Sequence, residues 1–146
     1  MKFGITNLHC CLLILTSELK ARFWGDYIDK KIYPNGSKLW LSGDDEVRKS
    51  GVREMMESFK VLEAELGDKS YFGGETFGFV DVALIPFYSY FYTFEMLGNL
   101  SVEAQCPKLV TWGKRCMQEP SVAKTLCDPS YTYQGCLGIK KMLGFM

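Results

Sequence analysis

The sequence predicts an all-α domain, a helical bundle of about five to six helices around a buried central helix. Three observations carry that expectation. Apolar residues recur at helical spacing, most clearly Val52, Met55, Met56, Phe59, Leu62 and Leu66. Capping and stopping residues stand where helices of that spacing should begin and end. Finally, residues 78–97, GFVDVALIPFYSYFYTFEML, contain no charge between Asp81 and Glu95. That run is too long for a typical strand, and Pro86 fits poorly in a central one. It is also shorter than the roughly 20 apolar residues that span a bilayer, and its hydroxyls are many.

The elements follow in order. The first twenty residues, MKFGITNLHCCLLILTSELK, hold one apolar run from Cys10 to Leu15. It falls short of the about 7–15 residues of a secretory core, and no small-residue cleavage pattern follows. The start reads as a strand, as a tail, or as a segment foreign to the domain. From Ser17, an N-cap candidate followed by Glu18, the pattern turns helical. Phe23 and Tyr27 share one spacing, while Trp24, Ile28 and Ile32 share another. Pro34-Asn35-Gly36 should kink or end this helix, after which Lys38-Leu39-Trp40 resumes an apolar face for a turn. The second helix starts at Asp44 or Asp45 and ends at Gly67, with Gly51 weakening its early part.

The central stretch opens with Gly78-Phe79-Val80-Asp81, the spacing of a capping box. Gly78 offers no hydroxyl, but Asp81 can reach back to the Gly78 N–H and favours the positive end of the helix dipole. Asp81 therefore reads as a structural cap ahead of a catalytic acid. Pro86 should bend the helix that follows. Cys106-Pro107 begins another helix, with Leu109, Trp112 and Cys116 as its stripe. Glu119-Pro120 stops it, a short turn covers 121–126, and Asp128-Pro129 starts a last helix weakened by Gly135 and Gly138.

Composition excludes several functions. The chain has 146 residues, 47% of them apolar, enough for one domain with a core. Lysine and arginine number 17, as do aspartate and glutamate, which gives no electrostatic case for nucleic acid or an anionic membrane. Cysteines stand at 10, 11, 106, 116, 127 and 136, and the one histidine is His9. No C-x-x-C pair exists, so no metal site is expected. A chain of this size needs no disulfide framework, and free thiols in a reducing compartment are expected. With no glycine-rich phosphate loop and no paired carboxylates, no catalytic residue is assigned.

Three stretches carry a family resemblance: ARFWGDYIDKKIYPNGSKLW (21–40), LEAELGDKSYFGGETFGFVDVALIPFYSYF (62–91) and CPKLVTWGKRCMQEPSVAKTL (106–126). In order and spacing they resemble the C-terminal helical domain of plant tau-class glutathione S-transferases. The resemblance implies a glutathione S-transferase C-terminal-like domain over 18–146 and a non-matching segment over 1–17. It implies an enzyme of detoxification in the cytoplasm that conjugates glutathione to hydrophobic electrophiles. That enzyme's N-terminal, thioredoxin-like domain binds glutathione, and this chain does not carry it. No cofactor is then expected on this chain, glutathione being the co-substrate of the full-length family, and the isolated chain is expected to be inactive.

The same resemblance places Tyr33, Trp40, Tyr90 and Ile139 on the wall of an electrophile pocket, and Gly78 and Asp81 in the family's N-capping box. Core packing is the alternative for each aromatic residue. Ser37 and Gly135 depart from the residues common in relatives. Expected partners are hydrophobic small molecules and a second copy or a full-length relative, in a homodimer or heterodimer partly through helices at about 18–41 and 45–66. The alternative is a non-catalytic module for apolar ligands or dimerisation. Neither nucleic acid nor membrane is expected as a partner.

Overall fold

A computed structural model describes residues 2–146, with side chains from Thr16 onward. His9, Cys10, Cys11 and the apolar run to Leu15 lie outside the described side chains, and so do the expectations placed on them.

The first helix, α1, runs without interruption over Lys2–Lys31. This corrects the reading of Ser17 as an N-cap and of the start as strand or tail. The reason is visible in the chain: no proline or glycine stands between Gly4 and Gly25, so nothing breaks a helix there. The buried stripe of α1 is narrower than its spacing suggested. Ile28 and the following Ile32 are fully buried and Trp24 half-buried, whereas Phe23 is 60% exposed. The turn at Pro34 yields two single-turn helices, α2 (Tyr33–Gly36) and α3 (Lys38–Leu41).

Helix α4 (Asp45–Leu66) is the central support. The Asp44 carboxylate accepts from the backbone N–H groups of Glu46 and Val47 at 2.8 and 3.2 Å, and Gly67 ends the helix at φ 56°. Met55, Phe59, Leu62 and Leu66 bury the expected stripe. Gly51 has a packing reason that outweighs its low helix propensity. A Cβ there would strike the backbone carbonyl of Asn35, so the bare position lets α2 lie against α4.

The stretch at 79–98 is not one bent helix. It divides into α5 (Phe79–Leu84), a 3₁₀ segment (Ile85–Tyr90) and α6 (Phe91–Gly98). Pro86 donates no backbone hydrogen bond and crowds the preceding turn, so the tighter i→i+3 pattern takes over. Nor is the stretch buried all round, since Phe79, Val82, Tyr92 and Met96 are exposed. Helix α5 packs on α1, and α6 packs on α4. Beyond Asn99, in the left-handed region at φ 50°, comes a helix the sequence reading lacked, α7 (Val102–Gln105). The Ser101 hydroxyl caps it by accepting from the Ala104 N–H at 3.1 Å.

Helix α8 (Pro107–Cys116) begins at Pro107 as expected, but its free N–H groups are satisfied from another helix. The Glu63 carboxylate of α4 accepts from Lys108 and Leu109 at 2.9 and 3.3 Å. Leu109, Trp112 and Cys116 are fully buried. Gly113 lies against Tyr88 so closely that any Cβ would enter its ring. Helix α9 (Pro120–Thr125) follows, then α10 (Pro129–Met142), whose Asp128 cap accepts from Ser130 and Tyr131. Gly135 and Gly138 leave α10 intact because both are exposed and face open space. Helix α10 covers α3, α6 and the 3₁₀ segment. Among the described residues there is no strand, only an isolated bridge between Tyr71 and Gly74.

Candidate functional site

Two clusters occupy opposite ends of the broken central stretch. At the start of α5, Asp81 is fully buried. One carboxylate oxygen accepts from the Gly78 N–H at 2.9 Å. The other accepts from the Phe72 N–H at 3.1 Å and the Trp112 indole N–H at 2.8 Å. Gly78 has no side chain to return the bond, so the box has one arm, and the second oxygen reaches a loop and a distant helix instead. The loop over 67–78 is held to α8 by further contacts. The Arg115 guanidinium donates to the Ser70 carbonyl at 2.7 Å, and Phe72 meets Trp112 edge-on at 5.6 Å between ring centroids. Burial pushes the neighbouring Cys116 thiol up to about 12, with the Asp81 charge adding to the rise. Both Asp81 oxygens are engaged by donors of the fold, which leaves this carboxylate poorly placed to take a proton from a substrate.

At the other end lies a ring stack. Trp40 is 2% exposed and sits parallel to Tyr90 and Phe94, with centroids 5.7 and 6.3 Å away. Tyr33 meets Trp40 edge-on at 6.4 Å and is 47% exposed. The structure thus brings Tyr33, Trp40 and Tyr90 together. Ile139 is partly exposed on α10, one turn beyond the buried Cys136. Burial raises the Tyr90 hydroxyl pKa, and the nearby Cys136, Tyr33 and Cys127 add to it in that order. Of the two departures from relatives, Ser37 is buried, and Gly135 has open space where a side chain would stand.

Sequence reasoning missed three members of this end. Phe94 completes the stack, and its four-residue spacing from Tyr90 was the available signal. Thr93 is fully buried, and its hydroxyl has no partner at hydrogen-bonding geometry. The group it faces is the Cys136 thiol, which burial pushes up to about 11 while the Thr93 hydroxyl pulls the other way. No local pattern pairs residues 93 and 136.

Among the described residues, no group of three or more His, Cys, Asp or Glu could hold a metal ion. Among them, too, no helix is long and apolar enough to cross a membrane. The described cysteines, Cys106, Cys116, Cys127 and Cys136, are free thiols.

Comparison with known proteins adds an independent line. The family described as glutathione S-transferase, C-terminal domain, matches residues 23–120. Glutathione S-transferase U28 of Arabidopsis thaliana is 54% identical over 129 residues, 88% of this chain and 58% of its own length. The probable glutathione S-transferase parA of Nicotiana tabacum is 53% identical over 86% of this chain and 56% of its own. Among solved structures, rice GST1 in complex with glutathione superposes with a TM-score of 0.82 at 44% identity, over 88% of this chain and 57% of that one. The tau-class enzyme of mango gives 0.73 at 26% identity, over 83% of this chain and 58% of its own. The chain spans about half the length of the curated relatives it matches.

Proposed function

The chain belongs to the glutathione S-transferases through their C-terminal domain, and from that premise we propose that it forms the wall against which a hydrophobic electrophile is held for conjugation to glutathione. The observation that carries this reading is the ring stack. Sealed Trp40 is its support, while exposed Tyr33 and half-buried Tyr90 offer aromatic surface. We assign Ile139, exposed on α10, to the same wall on the family resemblance alone. The role of these residues is to bind, orient and exclude water rather than to transfer protons.

In the complete reaction the glutathione sulfur attacks the electrophile and a leaving group departs with its electron pair. That requires the thiol, ordinarily near ~8.5, to be ionised near neutrality. Asp81 is engaged by the fold, and we assign the activating group to the thioredoxin-like domain that the family resemblance implies. The 146-residue chain assayed alone with glutathione and an aryl halide should therefore form no conjugate above the blank, and clear turnover would refute this. In the same protein, an apolar fluorescent probe should bind, and Tyr33→Ala should weaken it about fivefold with an unchanged melting temperature, since Tyr33 is exposed. Probe binding indifferent to Tyr33 would place the ligand elsewhere.

A second reading, a dimerisation module, is supported by exposed Leu19 and Phe23 on α1 and Val61 on α4. A second copy or a full-length relative would cover them. The free thiols suit the reducing cytoplasm.

A further inference from the structure

Asn7 and Asn99 precede leucine, whereas Asn35 precedes glycine in Pro34-Asn35-Gly36. An asparagine before glycine carries its own reagent. The backbone nitrogen of the glycine can attack the side-chain Cγ, and with no Cβ on the glycine nothing crowds that approach. A C–N bond forms, the Cγ–Nδ2 bond breaks, and ammonia leaves with the proton that the backbone amide gives up. Water then opens the cyclic imide at either carbonyl. The products are aspartate and its β-linked isomer, whose backbone is longer by a methylene.

The fold withholds each requirement. Asn35 is 7% exposed and belongs to α2. Its Nδ2 donates to the Lys31 carbonyl at 2.8 Å, and its Oδ1 accepts from the Lys38 ammonium at 3.1 Å, so the side chain is fixed on both sides. The Gly36 N–H donates to the Ile32 carbonyl at 2.9 Å, which holds the proton that the attack must remove. Helical ψ also turns the Gly36 nitrogen away from Cγ. Nor is there room for the β-linked product. A Cβ on Gly51 would come within 2.5 Å of the Asn35 carbonyl, and one on Gly36 would meet the Phe94 ring at 2.7 Å. A longer backbone there would lift α2 from α4. We propose that Asn35-Gly36 is a self-modification site that the fold keeps shut: inert while α2 lies on α4, it converts whenever that region opens, and the β-linked product does not repack. A transient opening is thereby written into the covalent chain. The test depends on neither ligand binding nor conjugation.

Trypsin releases residues 32–38 as one peptide holding Asn35. Mass spectrometry then reads the amide-to-acid change, and fragmentation separates the two acids. The 146-residue chain is incubated in mildly alkaline buffer, folded and in concentrated guanidinium chloride. Conversion should be at least about tenfold slower in the folded chain, because only its opened fraction reacts. Gly51→Ala, which presses on the Asn35 carbonyl, should raise the folded-state rate about threefold or more. If that variant does not fold, the rate in the unsubstituted chain, followed through the guanidinium transition, should rise with the unfolded fraction. Chain converted in denaturant should refold in its β-linked fraction to a lower melting temperature or not at all. Asn35→Asp keeps the backbone length and should lose less. Equal rates in folded and unfolded chain, a folded rate indifferent to Gly51→Ala and to denaturant, or a β-linked chain that melts like the unmodified one would each overturn the proposal.

Discussion

The two ends of the 78–98 stretch solve the same problem in different ways. At the Asp81 end, a buried charge is matched donor for donor by Gly78, Phe72 and Trp112. At the Trp40 end, rings stack with no fixed polar partner, and the Thr93 hydroxyl faces the Cys136 thiol without hydrogen-bonding geometry. Hydrogen bonds have narrow geometry, so the first end is held to one arrangement. Ring stacking tolerates sliding, so the second can adjust to what it meets. The contrast teaches that a fold can keep its rigidity and its adaptable surface on a single short segment.

The largest effect should come from Asp81→Ala. It strands two buried donors, each worth about 1–3 kcal/mol, and one half-buried donor, so urea unfolding should show a loss of about 3 kcal/mol or more. A loss below about 1 kcal/mol would break the contrast, because the network would then be ornamental.

Each end also carries a buried thiol, and alkali should tell them apart. Burial raises Cys116 from 9.0 to about 12 and Cys136 from 9.0 to about 11. Between those values the unfolded chain releases protons that the folded chain retains, so stability falls as pH rises. The contribution is fully present below about pH 9. Cys136 ceases to add to the fall near pH 11, while Cys116 continues towards 12. Urea midpoints should stay level up to about pH 9 and drop beyond it, and Cys116→Ala should flatten the drop more than Cys136→Ala does. Midpoints independent of pH across that window would remove the thiols from the account.

The smallest effect belongs to Thr93→Val. The swap keeps the shape and removes a hydroxyl that faces the Cys136 thiol without reaching hydrogen-bonding geometry, so stability should change by no more than about 0.5 kcal/mol in either direction. A loss beyond about 1 kcal/mol would show that the hydroxyl has a partner that matters.

Local chemistry made much of the fold legible. The caps at Asp44 and Asp128, the stop at Gly67 and the α4 stripe depend on residues within a turn or two of each other, and each stands where spacing placed it. The break at Pro86 was legible as a disturbance, though not as a 3₁₀ segment, because the choice between a bend and a tighter helix depends on what packs around it. The uninterrupted course of α1 was hidden by Ser17, which looks like a cap whenever helix is presumed to start near it. At the aromatic end the composition was visible, but which rings would meet was not. Trp40 and Tyr90 lie fifty residues apart, on α3 and at the end of the 3₁₀ segment, and meet only through tertiary packing.

The bonds of Asp81 reach very different distances along the chain: three residues to Gly78, nine to Phe72 and thirty-one to Trp112. Loop-closure entropy grows with the logarithm of that distance, which makes the longest reach about 2 kcal/mol less favourable to close than the shortest. The nearest bond can form while most of the polypeptide is still open. The indole is captured only after α8 has come home, so one side chain records both the beginning and the end of assembly.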